Sequence, residues 1–433
     1  MRIEIPREVE RFGPIIFHGV QKVYELDSGL KNHSNQQDEN PVLKRIAYDV
    51  QHEIQNEMAI VVPVRNEKIK LIEGVLSGIP HHCLVIIVSN SPRHPIDRFR
   101  IEKDAIEHLS NFMGRRILMV HQKDPKLAEA CEAAGYPFLL DKEGVVKNGK
   151  AEGMILSTLL AYLCGKKYIG FIDSDNYFPG AVHEYVQEYG AAFAMSKSKY
   201  TMARISWHSK PKIVESNLFF AKRGRASEHT NKILNRLVSY YTGYGTEIIK
   251  TGNAGEHAMT MDLAMRLDYS SGYSIEPYHY INVLEKFGGI IANPSDKIMQ
   301  NRVEFYQIES RNPHLHEVKG DQHVMDMSRA ALEVMHNSPI CPKELQEEII
   351  KDLRARKLLG EGEELGNSLT YYPSLKTVNM KKFAKVLKNE PYVDMFKADL
   401  SKFNQETEDT MLTRDKAEGM KAHLPEEGKL EAK

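Results

Sequence analysis

The sequence predicts an α/β protein built on a mostly parallel sheet, and three observations carry that expectation. Short runs of apolar, β-branched residues recur along the chain, segments with helical spacing separate them, and polar residues stand just past the end of each run. The first run, "MAIVVPV" (58–64), is apolar throughout, which marks a strand covered on both faces. "EKIKLIEGVLSG" then has helical spacing and a closing glycine. "CLVIIVS" (83–89) predicts a second strand, residues 97–112 a polar helix, and "RILMVHQ" (116–122) a third strand. A helix near 126–134, a loop, and a helix from Ala151 to Cys164 lead to the fourth strand, "YIGFID". Strands alternating with helices at this spacing imply parallel crossovers in one sheet.

Composition narrows the function classes. With 433 residues, 42% of them hydrophobic, the chain is long enough for two domains or one elaborated α/β domain with a sizeable core. Lys and Arg number 58 against 59 Asp and Glu, so no global basic field attracts nucleic acid or a membrane surface, and an anionic ligand must be held locally. The start, "MRIEIPREVERFGPIIF", lacks the apolar core of a secretory signal, and no run of about 18 apolar residues occurs. A cytoplasmic protein is expected. Cys83, Cys131, Cys164 and Cys341 are widely spaced, without CxxC pairs, and are expected to be buried small hydrophobes.

In open α/β sheets ligands bind beyond the carboxyl ends of the strands. Those tips carry Arg65, Asn66 and Glu67; Ser89, Asn90 and Ser91; His121, Gln122 and Lys123; and Asp173, Ser174 and Asp175. All can hydrogen-bond, which suits a nucleoside. No GxGxxG follows the first strand and no GxxxxGK[ST] follows any of them, which argues against a dinucleotide dehydrogenase and a P-loop phosphotransferase.

The fourth tip is the most informative. If the strand ends at Asp173, alternation points Asp173 and Asp175 the same way, and two converging carboxylates repel unless a cation joins them. A hard divalent ion, Mg²⁺ or Mn²⁺, would bridge them to a substrate diphosphate. Upstream, "VVKNGKAEGM" (145–154) places Lys147 and Lys150 around a glycine at a helix start, where backbone donors and a point charge suit a phosphate.

Taken together, "VPVRNE" (62–67), "IIVSNS" (86–91), "HQKDP" (121–125), "GKAEGM" (149–154) and "GFIDSDNYFPGAVHEYV" (170–186) resemble the mannosyl-3-phosphoglycerate synthases, retaining glycosyltransferases of GT-A fold. "KRGRASE" (222–228), "TGNAGEHAMTMDLA" (251–264), "GYSIEPY" (272–278) and "NPHLHE" (312–317) extend the resemblance from about residue 10 to about 360. It implies transfer of mannose from GDP-mannose to 3-phosphoglycerate with retained configuration and a divalent cation, in mannosylglycerate biosynthesis. It also implies a homodimer and a donor site of Pro63, Arg65, Asn66, Glu67, Ser89, Asn90, Gln122, Lys123, Lys150, Asp173 and Ser174. The domain organisation that follows is an N-terminal hairpin and polar linker (1–57), a nucleotide-sugar-binding domain (58–200), an acceptor-binding and metal-completing region (201–360) and an extension with a flexible, highly charged tail (361–433).

The carried-over motifs also make chemical sense. Arg223, Gly224, Arg225 and Ser227 join guanidinium groups, open backbone donors and a hydroxyl just before an apparent helix, a cradle for a phosphorylated acid. The resemblance assigns the acceptor phosphate to Gly224, Arg225, Ala226 and Ser227; Ser227 is otherwise a helix N-cap. Glu256 and His257 are expected at the head of another helix, and the resemblance has Glu256 orient the mannose, making it a catalytic residue with Asp173 and Asp175. His314 and His316 share a face in extended chain, and either completes the metal shell, with His314 favoured. No residue marks itself as a covalent nucleophile, so same-face attack and a glycosyl-enzyme both remain open. Ser174 and Ala151 stand where the family more often has alanine and glycine. Other readings are a glucosyl-3-phosphoglycerate synthase, a non-catalytic nucleotide-sugar sensor, and a sugar-nucleotide nucleotidyltransferase, the last requiring a glycine-rich triphosphate loop absent from "VPVRNEKIKL".

Overall fold

A computed structural model describes residues 1–27, 29, 42–214, 217–221, 225–291, 302–316 and 321–388, with side chains excepted at 211–225 and 321. Residues 28 and 30–41 of the expected polar linker, and the expected flexible tail from residue 389 on, lie outside the described residues.

Five strands begin the chain: β1 (Arg2–Glu4), β2 (Val9–Phe12), β3 (Ile15–Glu25), β4 (Leu43–Arg45) and β5 (Met58–Val64). Then come β6 (Leu84–Ser89), β7 (Ile117–His121), β8 (Tyr168–Phe171), β9 (Tyr200–Ser206), β10 (Lys210–Val214), β11 (Asn217–Ala221), β12 (His257–Thr260), β13 (Tyr269–Ser270) and β14 (Val303–Glu309). The main sheet runs in the order β4-β1-β3-β14-β9-β12-β8-β5-β6-β7, with β2 added as a hairpin on β3. Pairs β8-β5, β5-β6, β6-β7, β9-β14 and β14-β3 are parallel, whereas β12 is antiparallel to both β8 and β9. The fold is therefore the α/β class expected, with a mostly parallel central sheet.

Helices α1 (Tyr48–Asn56), α2 (Ile69–Gly78), α3 (Arg98–Met113), α4 (Pro125–Ala133), α5 (Lys150–Leu163) and α6 (Pro179–Met195) connect the first strands. The continuous apolar runs have a simple cause. Ala59 and Val61 of β5 with Leu84, Ile86 and Val88 of β6 face one core beneath α4 and α5. Met58, Ile60, Val62 and Val64 with Val85 and Ile87 face the other, beneath α2 and α6. Both faces are buried, so period-2 alternation disappears from the sequence. Helix α3 starts where Asp97 Oδ1 accepts the Arg100 amide at 3.0 Å, and ends at Gly114 in left-handed conformation (φ 62°).

Helices α7 (Arg225–Thr242), α8 (Met261–Ala264) and α9 (Ile275–Phe287) follow, and further helices span Asp321–His336, Lys343–Ala355 and Met380–Leu387. Two local expectations are corrected. Glu256 and His257 do not open a helix: His257–Thr260 is the buried strand β12, and only the one-turn α8 follows it. Pairing on both edges outweighs the helix preference of Ala and Met. Ser227 is not the N-cap, because α7 already begins at Arg225 and places Ser227 inside its first turn. Cys83, Cys131 and Cys341 are buried and Cys164 partly so; all are free, and burial pushes each thiol up to about 12. Among the described residues no helix is long and apolar enough to cross a membrane.

Candidate active site

The parallel strands end together and raise their tips on one rim. After β5, Asn66 takes a left-handed backbone (φ 66°), tolerable for asparagine, and its amide donates to Ser91 Oγ at 2.7 Å. The Arg65 amide donates to Glu67 Oε2 at 2.5 Å, and Arg98 Nη2 donates to the Glu67 carbonyl at 3.0 Å. Beneath the rim, Glu102 is fully buried and accepts from Ser89 Oγ at 2.8 Å and Ser91 Oγ at 2.7 Å. Ser89 thus braces the tip from below. Pro63 lies within β5, and Glu67 holds the turn that follows it.

A cavity of about 510 Å³ opens above these tips, lined by Arg65, Asn90, Arg93, His121, Lys123 and Asn148 among others. That size suits a nucleoside-sized ligand. His121 accepts the Lys123 amide at Nδ1 (3.2 Å) and so donates through Nε2 to the Ser91 carbonyl (3.0 Å). Burial lowers its pKa further, so the ring is a neutral wall with a fixed tautomer. Gln122, expected at the donor, instead donates Nε2 to the carbonyls of Lys147 (2.7 Å) and Gly149 (3.1 Å) and holds the loop that leads into α5.

That loop delivers Lys150. Gly149 has φ 151°, and a Cβ there would fall 1.9 Å from Glu152 Oε2, so only glycine fits. Lys147 turns away and donates to the Phe138 carbonyl at 2.8 Å. Lys150, the first residue of α5, lies with Nζ 2.6 Å from Asp173 Oδ1 and 3.2 Å from Glu276 Oε1. Burial works against its ammonium, but the charges of Asp173 and Glu276 outweigh it and leave the pKa raised. The lysine is a fixed cation at the end of β8.

Strand β8 stops at Phe171, and Ile172 continues its ladder by donating to the Val61 carbonyl at 3.0 Å. Asp173 to Asp175 therefore form a turn just past the strand. The Asp173 side chain is one-third exposed, whereas Ser174, Asp175 and Asn176 are buried. Asn176 Nδ2 donates both to the Asp173 carbonyl (3.0 Å) and to Glu256 Oε1 (3.1 Å), tying the turn to the residue before β12. Gly255 is needed for the approach of these segments: a Cβ there would lie 2.8 Å from Asp173 Oδ2 and 3.5 Å from Lys150 Nζ.

Glu256 is fully buried and takes Trp207 Nε1–H on Oε2 at 3.1 Å. Burial, and then the charge of Asp173, raise its pKa to about 7, opposed by the Asn176 hydrogen bond. His314 stacks on Trp207 with ring centroids 4.6 Å apart, and its Nδ1 is 3.2 Å from the Tyr185 hydroxyl and 3.9 Å from Glu256 Oε1. Burial drives its pKa well below the usual value, so the ring is neutral, with Nδ1 facing the Tyr185 hydroxyl. His316 lies beside it, centroids 5.1 Å apart. Lys210 Nζ sits 3.7 Å from the Trp207 ring centre.

Asp173, Asp175, His314 and His316 are not gathered into a preformed cage: among the described residues no group of three or more histidine, cysteine or carboxylate side chains could hold a metal ion. Lys150 stands at Asp173 instead. Hard divalent ions commonly use one or two carboxylates and take their remaining ligands from substrate phosphate and water, so the donor set fits a cation that enters with a diphosphate. Of the residues expected at the acceptor, Ala226 and Ser227 are buried in the first turn of α7, the Arg225 side chain is not described, and Gly224 lies outside the described residues.

Glu276, Asn176, Trp207 and Tyr185 complete the site without a signal of their own in the sequence. Glu276 stands within "GYSIEPY", where the resemblance offered a motif but no role.

Comparison with known proteins agrees with the resemblance. The family model described as mannosyl-3-phosphoglycerate synthase matches residues 5–387. A mannosyl-3-phosphoglycerate synthase from Pyrococcus furiosus is 42% identical over 392 residues, covering 90% of this chain and 98% of its own length. One from Aeropyrum pernix is 34% identical over 378 residues, covering 86% and 94%. Among solved structures, the glucosyl-3-phosphoglycerate synthase of Mycobacterium tuberculosis in complex with Mn²⁺, uridine diphosphate and phosphoglyceric acid aligns with TM-score 0.43 and 16% identity, over 69% of this chain and 84% of that one.

Proposed function

The chain belongs to the mannosyl-3-phosphoglycerate synthase family, and from that premise we propose that it transfers mannose from GDP-mannose to the hydroxyl of 3-phosphoglycerate, with retention and a divalent cation. The observation that carries this reading is the meeting of Lys150, Asp173, Asn176 and Glu256 at the end of β8, beside a nucleoside-sized cavity, in a chain that the family covers from residue 5 to 387. The base and ribose are assigned to the cavity walls at Arg65, Asn90 and Lys123, and the diphosphate to the Lys150 side of the rim.

Asp173 and Asp175 would hold Mg²⁺ or Mn²⁺ with His314, and the cation would supply charge stabilisation to the departing diphosphate. The protein's own groups do the rest. Lys150 places a fixed positive charge where phosphate charge develops. Glu256 is positioned by Asn176 and Trp207 to accept from a sugar hydroxyl, using lone pairs that those donors leave open. The amino end of α7 would offer the backbone donors of Ala226 and Ser227 to the acceptor phosphate, and the family motif assigns Gly224 and Arg225 to the same group. The family premise extends to a homodimer working in the cytoplasm.

The test is a direct product assay. Purified protein, Mg²⁺ and 3-phosphoglycerate are incubated with an equal mixture of GDP-mannose, GDP-glucose and UDP-glucose, and the products are read by mass spectrometry. With the GDP-mannose carrying labelled mannose, the expected result is GDP and a phosphorylated hexosyl-glycerate bearing the label, formed only with metal. Release of UDP, or an unlabelled hexosyl product, would transfer the assignment to the glucosyl reaction.

Arg225→Ala tests the acceptor assignment separately. A charged pair of this kind is worth about 1.5–3 kcal/mol, so the KM for 3-phosphoglycerate is expected to rise by about 10- to 100-fold while that for GDP-mannose changes less than about 3-fold. A defect confined to the donor would move that loop to the other substrate.

A further inference from the structure

Lys150 occupies an unfavourable place. It is the first residue of α5, where the helix dipole repels a cation, and its side chain is only 23% exposed. Asp173 would suffice to neutralise it. The structure nonetheless supplies a second carboxylate, Glu276, from the first turn of α9, where the helix dipole favours a negative charge. The Glu276 side chain is 8% exposed, and α9 is buried along most of its length, so the carboxylate is held on a rigid support. The ammonium therefore lies between two acids: Asp173, partly open to the site, and Glu276, closed off from solvent.

We propose that Glu276 is a positioning residue that acts through Lys150, giving the ammonium an alternative partner so that Asp173 can turn its oxygens to a divalent cation. Lys150 bonded to Asp173 alone would compete with the cation for the same carboxylate. With Glu276 at 3.2 Å, Lys150 keeps a counter-charge when Asp173 is engaged and remains beside the diphosphate. Gly255 leaves little freedom on the opposite side, since even a methyl group there would touch both Asp173 and Lys150. This inference rests on the metal-dependent reading above.

The test is a double-mutant cycle on the full-length protein, with Mn²⁺ binding in the presence of GDP read from the electron paramagnetic resonance signal of free Mn²⁺. Glu276→Gln is expected to weaken apparent Mn²⁺ affinity by about 5- to 20-fold when Lys150 is present, and by less than about 2-fold in a Lys150→Met background. Glu276→Asp keeps the charge but withdraws it by one methylene; it is expected to give an intermediate loss that also vanishes with Lys150→Met, and it serves the same cycle if Glu276→Gln does not fold. Equal weakening in both backgrounds would show Glu276 acting as a plain field charge and would overturn the proposal alone. Absence of Mn²⁺ binding by the wild-type protein with GDP would overturn the metal reading and this inference with it.

Discussion

Asp173→Asn is expected to lower turnover by about 10³-fold, roughly 4 kcal/mol of transition-state stabilisation, while shifting the melting temperature by less than about 3 °C. The substitution preserves shape and removes one charge. Three features localise its effect to chemistry. The Asp173 side chain is one-third exposed, so little packing depends on it. Its backbone carbonyl, which accepts from Asn176, is unchanged. Lys150 retains Glu276 as a counter-charge, so no buried cation is left alone. What would be lost is the proposed oxygen ligand for the cation and half of the charge pair at the end of β8. The check is kcat at saturating substrates over a range of Mg²⁺ concentrations, with thermal melting in parallel. Turnover near wild type with an unchanged metal requirement would remove Asp173 from the metal site; a melting temperature lower by 10 °C or more would make its role structural.

Local pattern revealed the sheet and its rim, and tertiary packing supplied what local pattern could not. β5 and β6 were readable because helices cover both faces, which forces uninterrupted apolar runs. Asp173 and Lys150 were readable because each stands next to an element boundary that composition marks, a strand end or a glycine at a helix start. β12 was misread as a helix because "HAMTMDLA" has helix-forming residues, and only partners on both edges make four of them a strand. The assignments of Ser89 and Gln122 to the ligand rested on position at a strand tip, yet a tip has two sides. Ser89 turns inward to Glu102 and Gln122 back to the loop before Lys150. The role of Glu276 and the presence of Trp207 were not readable for another reason: Lys150 and Glu276 lie 126 positions apart, Trp207 and Glu256 49, and no periodicity connects such pairs. The family resemblance reached further than pattern because it carries tertiary relationships that spacing does not record.

Arg204→Met is the substitution expected to damage stability most. Arg204 lies on β9, is fully buried, and has no carboxylate within ion-pair distance among the described residues. Its guanidinium instead donates to three carbonyls of the loop before β12: Nε to Thr251 at 2.9 Å, and Nη2 to Gly252 at 3.2 Å and Ala254 at 3.4 Å. The Tyr280 ring, centred 4.9 Å from its Cζ, covers the cation from the other side. Burial lowers its pKa, the expected sign for a cation taken out of water, but the carbonyl dipoles and ring keep the charge tolerable. Methionine would fill part of the volume and satisfy none of the carbonyls. Leaving a buried acceptor unpaired costs about 1–3 kcal/mol, so the loss should be at least about 3 kcal/mol even with partial relaxation. A large fraction of a typical 5–15 kcal/mol total would be gone. The same loop carries Gly255 and Glu256 into the site, so kcat should fall together with stability at temperatures where the variant remains folded. Chemical denaturation measures the first effect and steady-state kinetics the second. Arg204→Lys separates charge from geometry: an ammonium lacks the planar fork that reaches three carbonyls at once, so it is expected to recover only a minor part of the loss. Full recovery by lysine would mean that buried charge, not the carbonyl clamp, holds the loop.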